Sequence, residues 1–172
     1  MTMRRSLNGA LAGAAAAALW AAQQPLDRRA LGCDYSDVEL LGKAVTRERE
    51  WVPVGVALHL ANGAAFGAAY AQLRPFLPGP AVVRGLIPAL VEHAATWPLV
   101  GLVDRHHPAR RDLPTLAGSG RALAQATWRH MLFGAVLGLV EARLNADPGA
   151  EPPEVPVASN GHGDVAVAAQ VA

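Results

Sequence analysis

The sequence predicts an all-α protein: a four-helix transmembrane bundle of two helix-loop-helix repeats, with a disordered C-terminal tail. Three observations predict it. Four apolar runs lie at about residues 7–24, 52–73, 81–103 and 122–144, separated by polar or proline-rich breaks. Two of them carry nearly the same series, His59-x₃-Gly63-x₃-Gly67-x₃-Ala71-x-Leu73 and His130-x₃-Gly134-x₃-Gly138-x₃-Ala142-x-Leu144. From Asn145 onward, proline, glycine and charge without periodicity read as disorder. The domain boundary is therefore placed near residue 146, with a helical domain over 1–146 and a tail over 147–172.

Composition agrees with this class. Of 172 residues, 52% are apolar and 17% charged, against about 25% charged in soluble domains. Mean hydropathy is only +0.20, because two charged loops and the tail dilute the apolar runs. The net charge of +1 gives no basic field for nucleic acid. Lys43 is the only lysine, an arginine bias suggestive of a GC-rich bacterial gene. Cys33 is alone, so neither an intramolecular disulfide nor a cysteine-based zinc site can form.

Run one follows Arg4-Arg5 and is rich in alanine. A basic start before an apolar stretch also fits a secretory signal. Two features favour a retained helix. No clear small-x-small site precedes a polar mature start, and Trp20-x₆-Asp27-Arg28 is echoed by Trp97-x₆-Asp104-Arg105. The echo pairs run one with run three, as the histidine-glycine series pairs run two with run four. In the first polar loop, Ser36-Asp37-Val38-Glu39 is a capping box and predicts a short helix to about Val45, lying at the membrane surface. Run two, Val52 to Leu73, meets the requirement of about 20 residues for a span. Arg74-Pro75-Phe76-Leu77-Pro78-Gly79-Pro80 then forces a tight connection. Run three holds Pro88, which predicts a kink, and Glu92-His93 near its middle. Run four holds Arg129-His130, with Glu141 near its end. Nine basic residues in the two long loops, against five on the opposite side, place the long loops in the cytoplasm.

The small residues Gly63, Gly67 and Ala71, with Gly134, Gly138 and Ala142, form strips along helix faces. Such strips let backbones approach closely in lipid. They predict that runs two and four cross tightly or dimerise. The candidate intramembrane polar site comprises His59, Glu92, His93, Arg129 and His130. A carboxylate at the centre of a span costs about 2.5–3.5 kcal/mol on insertion scales, so Glu92 is a functional candidate by default. A nearby His59, His130 or Arg129 would keep it charged. His93 points about 100° away from Glu92 on a helix, which makes the two poor co-ligands for one metal. Asp104, His106, His107 and His162 lack fixed ligand spacing and read as ordinary loop chemistry, so no metal site is expected. Phosphate loops, nucleophile elbows, HExxH and CxxC are all absent from the sequence.

The segment His59-Leu-Ala-Asn-Gly63-Ala-Ala-Phe66-Gly67-Ala-Ala-Tyr70-Ala71 resembles the second span of uncharacterised bacterial multi-pass membrane proteins. In these a polar residue precedes a Gly-x-x-Phe-Gly-x-x-Tyr run. The resemblance covers about one helix. It implies a small multi-helix inner-membrane protein and carries no activity or catalytic residues.

The expectation is a non-enzymatic membrane protein of structural or accessory role, its partners the lipid bilayer and, through the strips, a second copy of itself. One alternative is proton or solute transport through Glu92 with His59 and His130. Another is an electron carrier in which His59 and His130 ligate haem from two helices; otherwise no cofactor is expected.

Overall fold

A computed structural model describes residues 2–146. The tail over 147–172 lies outside the described residues. Among the described residues every regular element is helical. The helices are α1 (Thr2–Leu31), α2 (Asp37–Val45), α3 (Trp51–Leu73), α4 (Ala81–Thr96), α5 (Val100–His106) and α6 (Gly120–Leu144). Short 3₁₀ turns at Arg74–Phe76 and Trp97–Leu99 extend α3 and join α4 to α5. The continuous stretches Trp51–Phe76 and Ala81–His106 are each long and apolar enough to cross a membrane.

Local chemistry sets most boundaries. Ser36 caps α2 by accepting a hydrogen bond from the Glu39 N–H at 3.2 Å. Ser119 does the same for α6 through the Ala122 N–H, a cap the sequence reading missed. Gly118, with φ of +76°, supplies the left-handed turn just before it. Two boundaries differ from expectation. Helix α1 runs past Gln24 to Leu31 with Pro25 inside it, so the first polar loop is short. In run three Pro88 lies inside the helix, and a 3₁₀ turn at Trp97-Pro98-Leu99 divides the run further on, which the sequence reading did not foresee.

The packing order across the bundle is α3, α1, α6, α4, with α2 lying against α3. Helices α3 and α6 barely meet. This corrects the expectation that the two glycine strips cross each other. The strip of α3 meets α1 instead, where a Cβ on Gly63 would lie 2.5 Å from the Ala17 Cβ, and one on Gly67 would collide with the Gly9 carbonyl. The strip of α6 meets α4, where a Cβ on Gly134 would lie 2.8 Å from the Gly85 carbonyl oxygen. One on Gly138 would collide with the Ala81 carbonyl. Ala71 is buried beside Gly9, while Ala142 is half-buried. The two crossings are built alike because glycine faces leave at most an alanine methyl between backbones. Their register is not that of the tryptophan echo. Gly13 corresponds to Gly85 and Ala17 to Ala89, both steps of 72, whereas Trp20 to Trp97 is a step of 77.

The centre of the bundle holds Ala12, Ala16, Ala17, Trp20, Tyr70, Ala89, Phe133 and Leu137. Alanines on α1 let the neighbouring helices come close, and the aromatic rings fill the wider space that opens toward α2.

Candidate functional site

Arg129 and His130 are adjacent on α6 and face different partners. Arg129 is fully buried. Its Nε and one terminal nitrogen fork onto the Asp27 carboxylate at 2.6 and 2.7 Å. Its other terminal nitrogen reaches Asp37 Oδ2 at 2.8 Å, and the Tyr35 carbonyl accepts a further bond at 3.0 Å. Gln125 and Gln23 also donate to Asp27. Asp37 in turn accepts from the Trp20 indole at 2.9 Å and from the Tyr35 hydroxyl. Burial pushes the Asp27 carboxyl up, but hydrogen bonds from Arg129, Gln125 and Gln23 outweigh it and hold it below its ordinary value. Burial raises the Tyr35 phenol well above its usual range, and the Asp37 carboxylate beside it adds to the effect. The cluster locks α1, the start of α2 and α6 together.

His130 faces α4. Its Nδ1 lies 2.7 Å from the Ala126 carbonyl, which can only accept, so Nδ1 carries a proton. Its Nε2 lies 3.0 Å from Glu92 Oε2. The two groups therefore share one proton along this contact. Either an imidazolium donates to a carboxylate, or a carboxylic acid donates to a neutral imidazole. With that proton removed, two acceptors would face each other. His93 stacks on His130 with ring centroids 4.4 Å apart. Its Nε2 donates to Thr127 Oγ1, whose own proton goes to the Leu123 carbonyl. Although Glu92 and His93 leave their helix in different directions, both thus meet the His130 ring.

His59 donates from Nε2 to the Ala17 carbonyl at 3.2 Å. The Trp20 indole stands edge-on against both His59 and His130, at 5.3 and 4.8 Å between centroids. This arrangement does not fit two axial haem ligands. A macrocycle between the imidazoles would displace Trp20, and each Nε2 already engages another group.

Because α3 and α4 diverge, a cleft of about 330 Å³ opens between them, roofed by α2. Glu92, His130 and His59 line it, with Asp37, Tyr35, Asn62 and Thr96. Trp20, Phe66 and Phe133 form its apolar wall. The Glu92 side chain is 42% exposed into this space.

The sequence site set thus divides. Glu92, His130 and His59 line one cleft, and His93 supports it from behind through the His130 ring. Arg129 belongs to the closed cluster with Asp27 and Asp37. Those two aspartates, Trp20 and Tyr35 were not identified as site residues from the sequence. The signal for the aspartates was Arg129 itself, since a guanidinium in an apolar run requires a carboxylate partner. The loop residues do local work: Asp104 accepts from the Leu116 and Ala117 N–H groups. His107 donates to the Leu40 carbonyl and accepts from the Ala109 N–H. Among the described residues no cluster of three or more potential metal ligands occurs. In comparisons with protein-family models, curated proteins and solved structures, nothing matches this chain.

Proposed function

We propose that this chain is a four-span integral membrane protein that handles a proton or a small solute at the cleft between α3 and α4, with Glu92 and His130 as the exchanging pair. The observation that carries this reading is the 3.0 Å contact between His130 Nε2 and Glu92 Oε2, on a pair that opens to a cleft. A pair that only held helices together would be closed, as the Arg129 cluster is.

The membrane setting is supported by the inverted placement of polarity. Arg129, Gln125 and Glu141 are fully buried, whereas Leu19, Val56, Val91, Leu102 and Leu139 are exposed on the outer surface. The two most apolar stretches are only 22% and 11% buried. A soluble core helix of that hydropathy would be mostly buried, and a soluble surface rarely exposes so much apolar side chain. At about 1.5 Å per residue, the 23 residues of α3 extend about 35 Å, enough for a bilayer core. The central place of α1 supports its retention as a span. The glycine strips contact this chain's own helices, so a role in joining separate chains gains no support from them. With the long loops cytoplasmic, α2 would roof the cleft on that side of the inner membrane.

The test is infrared titration of the carboxyl stretch in nanodiscs. The groups sharing the cleft with Glu92 are His130 from α6, His59 from α3, and Tyr35 and Asp37 at the start of α2, with His93 behind the His130 ring and Arg129 beyond Asp37. A carboxyl band that rises as pH falls, vanishes in Glu92→Gln and moves its midpoint in His130→Gln is the expected result. A wild type in which no such band titrates across the pH range of the folded protein would overturn the reading. So would quantitative recovery of the protein in the soluble fraction without detergent.

A further inference from the structure

We infer that the cleft between α3 and α4 is a binding site for an organic ammonium ion. The inference rests on the reading of this cleft as a solute site and names the chemical class. Three observations meet here. The cleft volume of about 330 Å³ accommodates a small aromatic or alkyl ammonium with room for water. Its wall is aromatic: Trp20, Phe66 and Phe133 stand edge-to-face in a row, with centroid distances of 6.0 and 5.4 Å. Its charge is negative. Asp27 and Asp37 share one guanidinium, Arg129, and Glu92 shares one proton with His130, which leaves a formal charge of −1 around the cleft.

Each observation selects against other ligands. Anions would meet a net negative charge and no free cation among the lining residues. Inorganic cations would find oxygen donors only on one side, facing apolar rings that cannot replace a hydration shell. Neutral apolar molecules would cover the part of the Glu92 carboxyl that is open to the cleft without pairing with it. An organic ammonium satisfies both faces, with its charge toward Glu92 and its alkyl or aryl groups against the rings. Aromatic faces attract such cations most strongly where water is excluded. Tyr35 already shows the preference, because the Arg129 guanidinium lies 5.2 Å from its ring centroid.

Proton and ammonium would then compete. Protonation of any group around Glu92 adds positive charge, whether on Glu92 itself or on His130, His93 or His59. Ammonium affinity therefore falls as pH falls.

The experiment is calorimetric titration of the full chain in nanodiscs with benzyltrimethylammonium, whose charge is independent of pH. Its uncharged carbon analogue, neopentylbenzene, serves as the competitor. Saturable binding is expected, weakened at least tenfold in Glu92→Gln and about tenfold in Phe66→Ala, and not displaced by the neutral analogue. Two variants on different helices guard against a folding defect in either. Absence of saturable binding to the wild type, equal affinity in wild type and Glu92→Gln, or displacement by the neutral analogue would each overturn the assignment. If the Glu92 carboxyl titrates while the ammonium fails to bind, this inference falls and the proton reading stands. If the ammonium binds but no carboxyl titrates, the proton reading falls.

Discussion

Arg129 and His130 are consecutive residues on one helix, yet one is sealed and the other is open. Arg129 makes four hydrogen bonds of 2.6 to 3.0 Å to two carboxylates and a carbonyl, with no exposed surface. His130 shares one proton with a carboxylate that is 42% exposed. About 100° of helix rotation separates the two directions. One points between α1 and α2, where both carboxylates it meets are engaged by several donors. The other points toward α4, where the bundle gapes. Charge is thus placed in two ways within one turn of α6. Where it is saturated it fixes helix positions, and where it is half-satisfied it carries the exchange proposed above.

The sharpest way to break this contrast is to remove the saturated side. Arg129→Met should leave Asp27 and Asp37 buried without a cation. The expected loss is about 3–5 kcal/mol, the range for an orphaned buried charge. Reversible unfolding in detergent would measure it. Asp27→Asn in the Arg129→Met background should recover part of the loss. A near-wild-type melting temperature for Arg129→Met would show that the cluster is not what holds α1 to α6.

Next in size is the effect of the glycine crossings that set the gap itself. Gly138→Leu should force α4 from α6, and Gly67→Leu should force α3 from α1. Each should cost about 1–3 kcal/mol, the usual penalty for overpacking. Only Gly138→Leu moves the helix that carries Glu92. It should therefore also alter the Glu92 infrared signature, while Gly67→Leu should leave that signature nearer to wild type. Identical stability and unchanged infrared bands in both variants would show that the backbones are not in contact.

These crossings also mark the limit of what the sequence revealed. The four-residue step of small residues showed which face of each helix is smooth, because periodicity is a local property. It could not show which helix lies against that face. The partners Gly9, Gly13 and Gly85 stand in runs with many other small residues, and the choice among them is made by long-range packing. The capping box at Ser36 was legible because a cap needs only four residues. The site was legible in part. Glu92, His59 and His130 stood out as costly polar groups in apolar runs. Asp27 and Asp37 did not, because on paper they sit in a polar loop. They reach Arg129 only because α1 continues to Leu31 and α2 turns back over the bundle. The same loop position that made them unremarkable in sequence makes them available to Arg129 from outside its helix.

Acid should separate the two regions further. The folded state holds Asp27 below its ordinary range through Arg129, Gln125 and Gln23. A depressed carboxyl contributes stability that is present above the unfolded value, about pH 4, and is lost as pH falls through the folded one. Wild type should therefore exceed Asp27→Asn in stability at neutral pH, and the difference should shrink as pH drops below about 4. A difference that stays constant down to the acid limit would mean that Asp27 does not titrate with unfolding.

The smallest effect on stability, and the most telling on function, is expected at Glu92. Half-exposed ion pairs contribute about 0–1 kcal/mol, so Glu92→Gln should melt within a few degrees of the wild type. The amide can still accept a hydrogen bond through its oxygen, but His130 Nδ1 must keep its proton for the Ala126 carbonyl. With glutamine at 92, the amide N–H₂ can donate to a neutral His130 Nε2, so the geometry survives while the exchangeable proton is gone. The variant should fold, pack and partition like the wild type and differ only in its response to pH. Melting curves recorded from acid to neutral pH, beside those of Arg129→Met, would check it. Loss of the fold in Glu92→Gln comparable to that in Arg129→Met would erase the distinction between the two sides of α6. It would place Glu92 among the groups that hold the bundle together rather than those that act within it.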